Sequence, residues 1–286
     1  AEDAGFRLRR ARLGMTAVYN DSVTVGVEID LLESDGSALH EAYLGWENKH
    51  AMVYGGLVKT PFSRSALYSS RSLQMAERAI GVTGLAPSHQ LGVLAGARVW
   101  DGKFSILTGA FNGMQRENTF AGGYTRIDPS VGNRFGGVAF ASRIDFEPLG
   151  LLGAGPSDLT HSTKPLLGIG GGILGNRGKT IQGLSFCGDL AFKWMGFSFV
   201  AEYLQDQSEP SDTPTQTNTP PAETNRSAMS AQMGYAAIKN ILDIAARVEL
   251  VDENKDVDDE GDFMAIAGTA SLFLAKSHLK IQLFYQ

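Results

Sequence analysis

Cysteine occurs once in the 286 residues, at Cys187. That excludes a disulfide framework and a multi-cysteine metal centre. Lying in an apolar, strand-like run, Cys187 reads as a small filler. Proline is sparse, 10 residues against 34 glycines, and 43% of the chain is hydrophobic, so the composition is not that of a disordered protein. Long hydrophobic runs are missing: no 18 consecutive residues are apolar, and no transmembrane helix is expected. Positive charge is also in deficit. Lys and Arg number 25 against 31 Asp and Glu, the net charge is -6 and the pI about 5.4, which argues against nucleic-acid binding. No signal-peptide pattern opens the chain, so an exported protein is expected here in mature form. The five histidines (His40, His50, His89, His161, His278) are scattered without ligand spacing, and no catalytic set is visible, so an enzyme is not expected. Gly168, Gly170, Gly171 and Gly172 resemble a phosphate loop, but no Lys-Ser/Thr follows, and strand packing or lumen clearance explains them better.

What is present is alternation with a period of two. Val23, Val25, Val27, Ile29 and Leu31 alternate with Thr24, Gly26, Glu28 and Asp30, the pattern of a strand with one apolar and one polar face. Leu184, Phe186, Leu190, Phe192 and Trp194 stand opposite Ser185, Asp189 and Lys193. Leu242, Ile244, Ala246, Val248 and Leu250 stand opposite Asp243, Arg247 and Glu249. About fourteen such segments recur, at 5–18, 23–32, 38–47, 51–60, 90–100, 104–113, 135–146, 166–175, 179–194, 197–205, 227–238, 241–251, 262–274 and 278–286. Most approach ten residues, the length a tilted strand needs to cross a bilayer.

The connections alternate short and long. Short turns lie at 48–50, 101–103, 195–196, 239–240 and 275–277, and long ones at 61–89, 114–134, 206–226 and 252–261. That is the pattern of outer-membrane barrels. Two connections break it: 147–165 is long where a short turn is due, and 176–178 is tight where a long loop is due. A soluble sandwich also alternates. Here, however, the polar face mixes Gly, Ser, Thr and Gln with charges of both signs, as a water-filled lumen requires, and the mean hydropathy of -0.09 fits a barrel whose lumen face dilutes its lipid face. Aromatics at segment ends (Tyr43 and Trp46, Trp100 and Phe104, Trp194 and Phe197, Tyr235, Phe273, Tyr285) predict girdles at both membrane interfaces. The expected fold is all-β: one transmembrane antiparallel β-barrel domain over 1–286. With loop 61–89 outside, parity starts and ends the chain on the exterior. One further strand at each end is therefore expected, about fourteen here of sixteen in all.

Several segments carry a family resemblance. Phe6-Arg7-Leu8-Arg9-Arg10-Ala11-Arg12-Leu13, His40-Glu41-Ala42-Tyr43-Leu44, Gly55 to Ser63, Met75-Ala76-Glu77-Arg78, Phe111-Asn112-Gly113 and Ala201-Glu202-Tyr203 follow one another in the order and spacing of the phosphate-selective porin O/P family, which the chain resembles. The resemblance implies a sixteen-stranded, usually trimeric barrel of the bacterial outer membrane. It also implies that 61–89 is the third external loop, folded inward to constrict the pore. A short helix from Ser70 to Ile80, capped by Ser70 or Ser72, is expected within it.

Selectivity in a pore is set by charge at the constriction. The candidate anion path is Arg7, Arg9, Arg12, Lys59, Arg64, Arg71, Arg78, Arg98, Arg143 and Arg247, whose forked or ammonium donors replace an anion's hydration. A bulge near Arg9-Arg10 would bring Arg12 to the lumen. Against this, Glu28, Asp30, Glu41, Asp145, Asp189, Glu202, Asp243 and Glu249 share the polar face, so the charges are balanced and pairing within the wall is the competing reading. No cofactor is expected. Asp252, Asn254, Asp256 and Asp258 form a poor calcium-loop match, because Val257 stands where the turn needs glycine; weak Ca²⁺ or Mg²⁺ bridging to lipopolysaccharide is the functional option. Ser208 to Asn225, rich in Pro, Thr and Gln, reads as an external loop. The expected partners are membrane lipid, lipopolysaccharide, small anionic solutes and two further copies of the chain. The expected function is a diffusion pore of mild anion preference, with phosphate or other oxyanions as candidate solutes. Its rivals are a barrel that anchors an envelope protein complex and conducts little, and a soluble all-β protein.

Overall fold

The computed structural model describes residues 10–33, 38–117, 120–125, 129, 131–179, 181–211, 223–256, 262–274 and 279–286. Its strands are β1 (Arg12–Tyr19), β2 (Val23–Asp30), β3 (Leu39–Glu47), β4 (Ala51–Lys59), β5 (His89–Val99), β6 (Phe104–Asn112), β7 (Val138–Phe146), β8 (Leu166–Arg177), β9 (Ile181–Trp194), β10 (Phe197–Pro210), β11 (Thr224–Ile238), β12 (Leu242–Asp252), β13 (Phe263–Phe273) and β14 (Lys280–Tyr285). They form one antiparallel sheet in sequence order, each strand paired with its chain neighbours; β1 and β14 are not paired with each other. Every expected segment is a strand, although residues 5–9 of the first lie outside the described residues. β10 and β11 run further than expected and take in Ser208–Pro210 and Thr224–Asn225, while 212–222 of the predicted external loop lies outside the described residues.

Burial is inverted relative to a water-soluble protein. Phe140, Ile144, Leu190, Ile244 and Val248 are exposed on one face, whereas Arg143, Asp189, Glu202, Arg247 and Glu249 are buried on the other. Among the described residues no second layer covers the apolar face, which rules out a sandwich. Hydrocarbon is the solvent that makes such a face stable: every backbone group away from the edges is satisfied in the sheet, and the apolar side chains need no water.

The short turns explain themselves locally. Asn20 and Asp21, Asp101 and Gly102, Gly196 and Asn240 all take positive φ, as tight hairpins between right-twisted strands require. Trp100 and Met195 share that conformation despite their size. Trp46, Trp100, Phe104, Trp194, Phe197, Tyr235 and Phe273 all lie towards this short-turn side, with Trp100 edge-on to Phe104 and Phe146. They make a belt at this rim, while Tyr285, exposed at the far end of β14, stands towards the other. Tyr43, expected in a girdle, instead points inward. It lies over Gly26, and Tyr54 lies over Gly45, where a Cβ would come within 2.5 and 2.1 Å of the rings. Glycine on one strand is the seat of the aromatic on the next.

Residues 60–88 leave β4 and cross the inner face before returning to β5. They contain α1 (Arg64–Leu67), a 3-10 turn at Ser70–Ser72, and α2 (Ile80–Leu85). Ser63 caps α1 by accepting from the amide of Ala66 at 3.1 Å. The helix expected over 70–80 is absent. Carbonyls it would have used internally are taken by the wall, Leu73 O by Lys280 at 2.8 Å and Gln74 O by the Gln282 amide at 2.6 Å, and Arg247 donates to Glu77 O at 2.8 Å. With its acceptors engaged from outside, this stretch stays extended. Phe62, Val82 and Leu85 pack with Phe111, Met114, Phe120 and Leu174 in an apolar core between the loop and the inner wall.

Candidate pore interior

Parity places the charged side chains. On β9, residues 185, 187, 189, 191 and 193 face inward, and on β12 residues 243, 245, 247, 249 and 251 do. The loop supplies the opposite partners. Arg64, nearly buried, binds Asp189 through Nε, Asp145 at 2.8 Å and Glu147 at 3.3 Å. Burial works against its charge, but Asp189 and then Asp145 outweigh it and hold the guanidinium above its ordinary pKa. Arg143 reaches Asp145 at 2.6 Å, Asp189 at 2.7 Å and Phe62 O at 2.9 Å. Arg247 binds Glu249 at 2.7 Å, and Glu249 in turn accepts the amide of Ile80, the first residue of α2. Gln74 donates to Asp243 at 3.0 Å and accepts from Gln232 at 2.8 Å. On the far side Arg116 binds Asp206 at 2.8 Å. These buried, paired ions fix the loop in one position, because removing either partner strands the other charge in a dry interior.

The expected path residues therefore divide. Arg64, Arg143 and Arg247 face inward, but their donors are committed to carboxylates and carbonyls. Lys59 is spent on Leu67 O at 2.8 Å and Tyr68 O at 3.0 Å. Arg78 donates to Ser65 O and Tyr68 O, and burial, then Arg10 and Arg12 nearby, pull its pKa down to about 10, so it stays charged at neutral pH. Arg98 sits near the short-turn rim beside Glu47 at 3.7 Å. Arg7 and Arg9 lie outside the described residues. Arg12 faces inward beside Asp30 at 3.0 Å and Glu28 at 3.6 Å, and Arg10 reaches Glu77 of the loop at 3.4 Å. Arg10 and Arg12 thus share the inner side, two residues apart. Arg71 is exposed on the edge of the loop.

Arg10, Arg12 and Arg71 line one cleft of about 690 Å³ between β1–β3 and Ser69–Arg71, together with Glu28, Glu41 and Tyr43. Arg10 was visible in the arginine cluster, yet only the loop's position shows that it belongs to the cleft. Gln74 and Lys280 carried no signal in the sequence, since their partners lie 124 or more positions away.

Metal ligation finds little support. Asn254 Oδ1 accepts from the amides of Asn225 and Asp256, both at 3.4 Å, and Asp258 lies outside the described residues. Cys187, Asp189 and Glu202 bring one ligand atom each within 4.8 Å of one another, but Asp189 already serves Arg64 and Arg143. No described helix is long and apolar enough to cross a membrane.

An inward loop on the inner face of a single, antiparallel, outwardly apolar sheet is the architecture of a porin. Residues 1–128 match the family of phosphate-selective porin O and P. Solved porin-like folds agree. OmpT of Vibrio cholerae superposes with a TM-score of 0.55 at 13% identity, over 93% of this chain and 74% of that one. OmpF of Salmonella typhi, in complex with daunomycin, gives a TM-score of 0.57 at 10% identity, over 93% and 79%. No curated protein sequence matches. The porin fold is that of the bacterial outer membrane, and this is where the chain resides. Its apolar face is the lipid contact.

Proposed function

We propose that this porin is a passive, non-enzymatic diffusion channel with a mild preference for small anions, phosphate and other oxyanions among them. Solute passes along the cleft between β1–β3 and the loop edge. The observation that carries the reading is the lining of that cleft, in which Arg10 and Arg12 pair with carboxylates while Arg71 stands exposed on the lip. The hydrated Arg71 guanidinium exchanges water for an oxyanion, while Glu28 and Glu41 nearby limit how strongly it is held. Loop 61–89 is the constricting element, and the single domain over 1–286 closes as a trimer in lipid and lipopolysaccharide. Weak divalent-cation bridging at the Asp252–Asp258 loop remains a proposal of the same kind.

The test is the zero-current potential in planar bilayers under a salt gradient. The parent channel is expected to favour the anion, and Arg71→Glu to move the potential towards the cation. A cation-preferring parent rejects the anion reading.

A second reading has one observation in its favour: the apolar core between loop and wall fills much of the β6–β12 side of the interior. A barrel plugged in this way would serve as an envelope anchor, and absence of conductance with a stably co-purifying protein partner would select it.

A further inference from the structure

We propose that the connection 147–165 between β7 and β8 is a second constricting wall, raised from the short-turn side, and that Lys193 is its positioning residue. This rests on the channel reading above.

The other described connections on that side are tight hairpins, and joining β7 to β8 needs only a few residues. Ordering a much longer segment costs backbone entropy at every residue, so the contacts that hold it must offset that cost. They do so along its whole length. Glu147 accepts the amide of Leu152 at 2.9 Å and also pairs with Arg64 of the inward loop. Leu152 is buried against Ala191 and Val200 of the inner wall. Asp158 accepts the amide of Gly196 at 2.8 Å, Leu159 O accepts that of Asn240 at 2.9 Å, and the His161 ring bonds Ala236 O at 2.7 Å. The segment is therefore tied to the β9–β10 and β11–β12 turns and crosses their inner side.

Lys193 is the central anchor. The residue is 6% exposed, and its ammonium group donates to Leu152 O at 2.7 Å and to Gly155 O. A desolvated ammonium spent on two loop carbonyls holds those carbonyls firmly, because releasing them leaves a buried charge without acceptors. Just beyond, Gly155 touches the loop that enters from the opposite mouth: a Cβ on it would stand 2.8 Å from Ser72 O and 3.1 Å from Ser72 Cβ. Only glycine permits that approach. Two segments from opposite mouths thus meet inside the sheet, at Ser72 and Gly155, next to the Ser69–Arg71 edge that lines the β1–β3 cleft.

In planar bilayers, full-length Lys193→Met is expected to raise single-channel conductance roughly 1.5- to 2-fold, since a released wall leaves more of the interior open to ions. In limited proteolysis of the folded proteins in detergent, 147–165 is expected to be protected in the parent and cleaved in Lys193→Met. Unchanged conductance in a folded Lys193→Met protein overturns the proposal, and so does ready cleavage of 147–165 in the parent. If Lys193→Met does not fold, protection of the parent's segment decides. A parent that never conducts rejects the channel reading and this proposal with it, and is recognised because 147–165 is still protected.

Discussion

Tyr68 carries a residue-scale consequence of the buried loop. Burial pushes its phenol up to about 12, with Arg64 pulling more weakly the other way. A phenol whose folded pKa exceeds its ordinary 10.0 contributes stability that is complete below pH 10 and is lost as pH rises through 12. In an alkaline absorbance titration, Tyr68→Phe should take one tyrosine out of the late-titrating phase; an undiminished late phase would assign it to other residues. At this scale the sequence was legible where partners sit on neighbouring strands. Arg12 and Asp30 share a polar face by simple alternation and are directly paired in the β1–β2 register. Arg64 and Asp189 are 125 positions apart, and nothing in either segment announces the other.

Among elements, the loop is held by the wall more than by itself. α1 has four residues and α2 six, too few to persist alone. Arg247→Met would remove the donors to Glu77 O and Arg78 O and leave Glu249 buried without its guanidinium, an expected loss of about 3–5 kcal/mol. Adding Glu249→Leu should recover much of that, because the uncompensated charge goes with it. Denaturant unfolding of the four proteins in detergent checks this cycle, and equal losses in the single and double variants would refute the coupling. The strands were readable because their period of two is a local property. The helix predicted over 70–80 failed because the fate of four carbonyls is decided by Lys280, Gln282 and Arg247, far away in the chain. Tyr43 misled for a related reason: an aromatic at a strand end fits a membrane belt, but parity with Gly45 and Glu47 turns it inward.

For the whole molecule, the governing fact is that its apolar side is wetted by lipid. An arginine near mid-span on that side is expected to cost about 2–4 kcal/mol, falling to about 0–1 at the interface. Leu190→Arg should therefore destabilise the protein in lipid vesicles clearly more than Trp194→Arg near the rim. Equal, small effects would mean that water, not hydrocarbon, lies against β9. Sheet class and strand order were within reach of the sequence through alternation and connection lengths, and the inward loop's location through the family resemblance. The side of the interior left open was not, because it depends on two connections meeting across the sheet.

The stretch from Leu73 to Glu77 is gripped from both extremities of the sheet, by Lys280 and Gln282 of β14 at one end and by Arg10 beside β1 at the other. Those few residues act as a clasp across the seam between the first and last strands. Prising the loop from the interior and parting the two free margins of the sheet are then one thermodynamic event, and whatever loosens the clasp loosens the hold of each margin on the other.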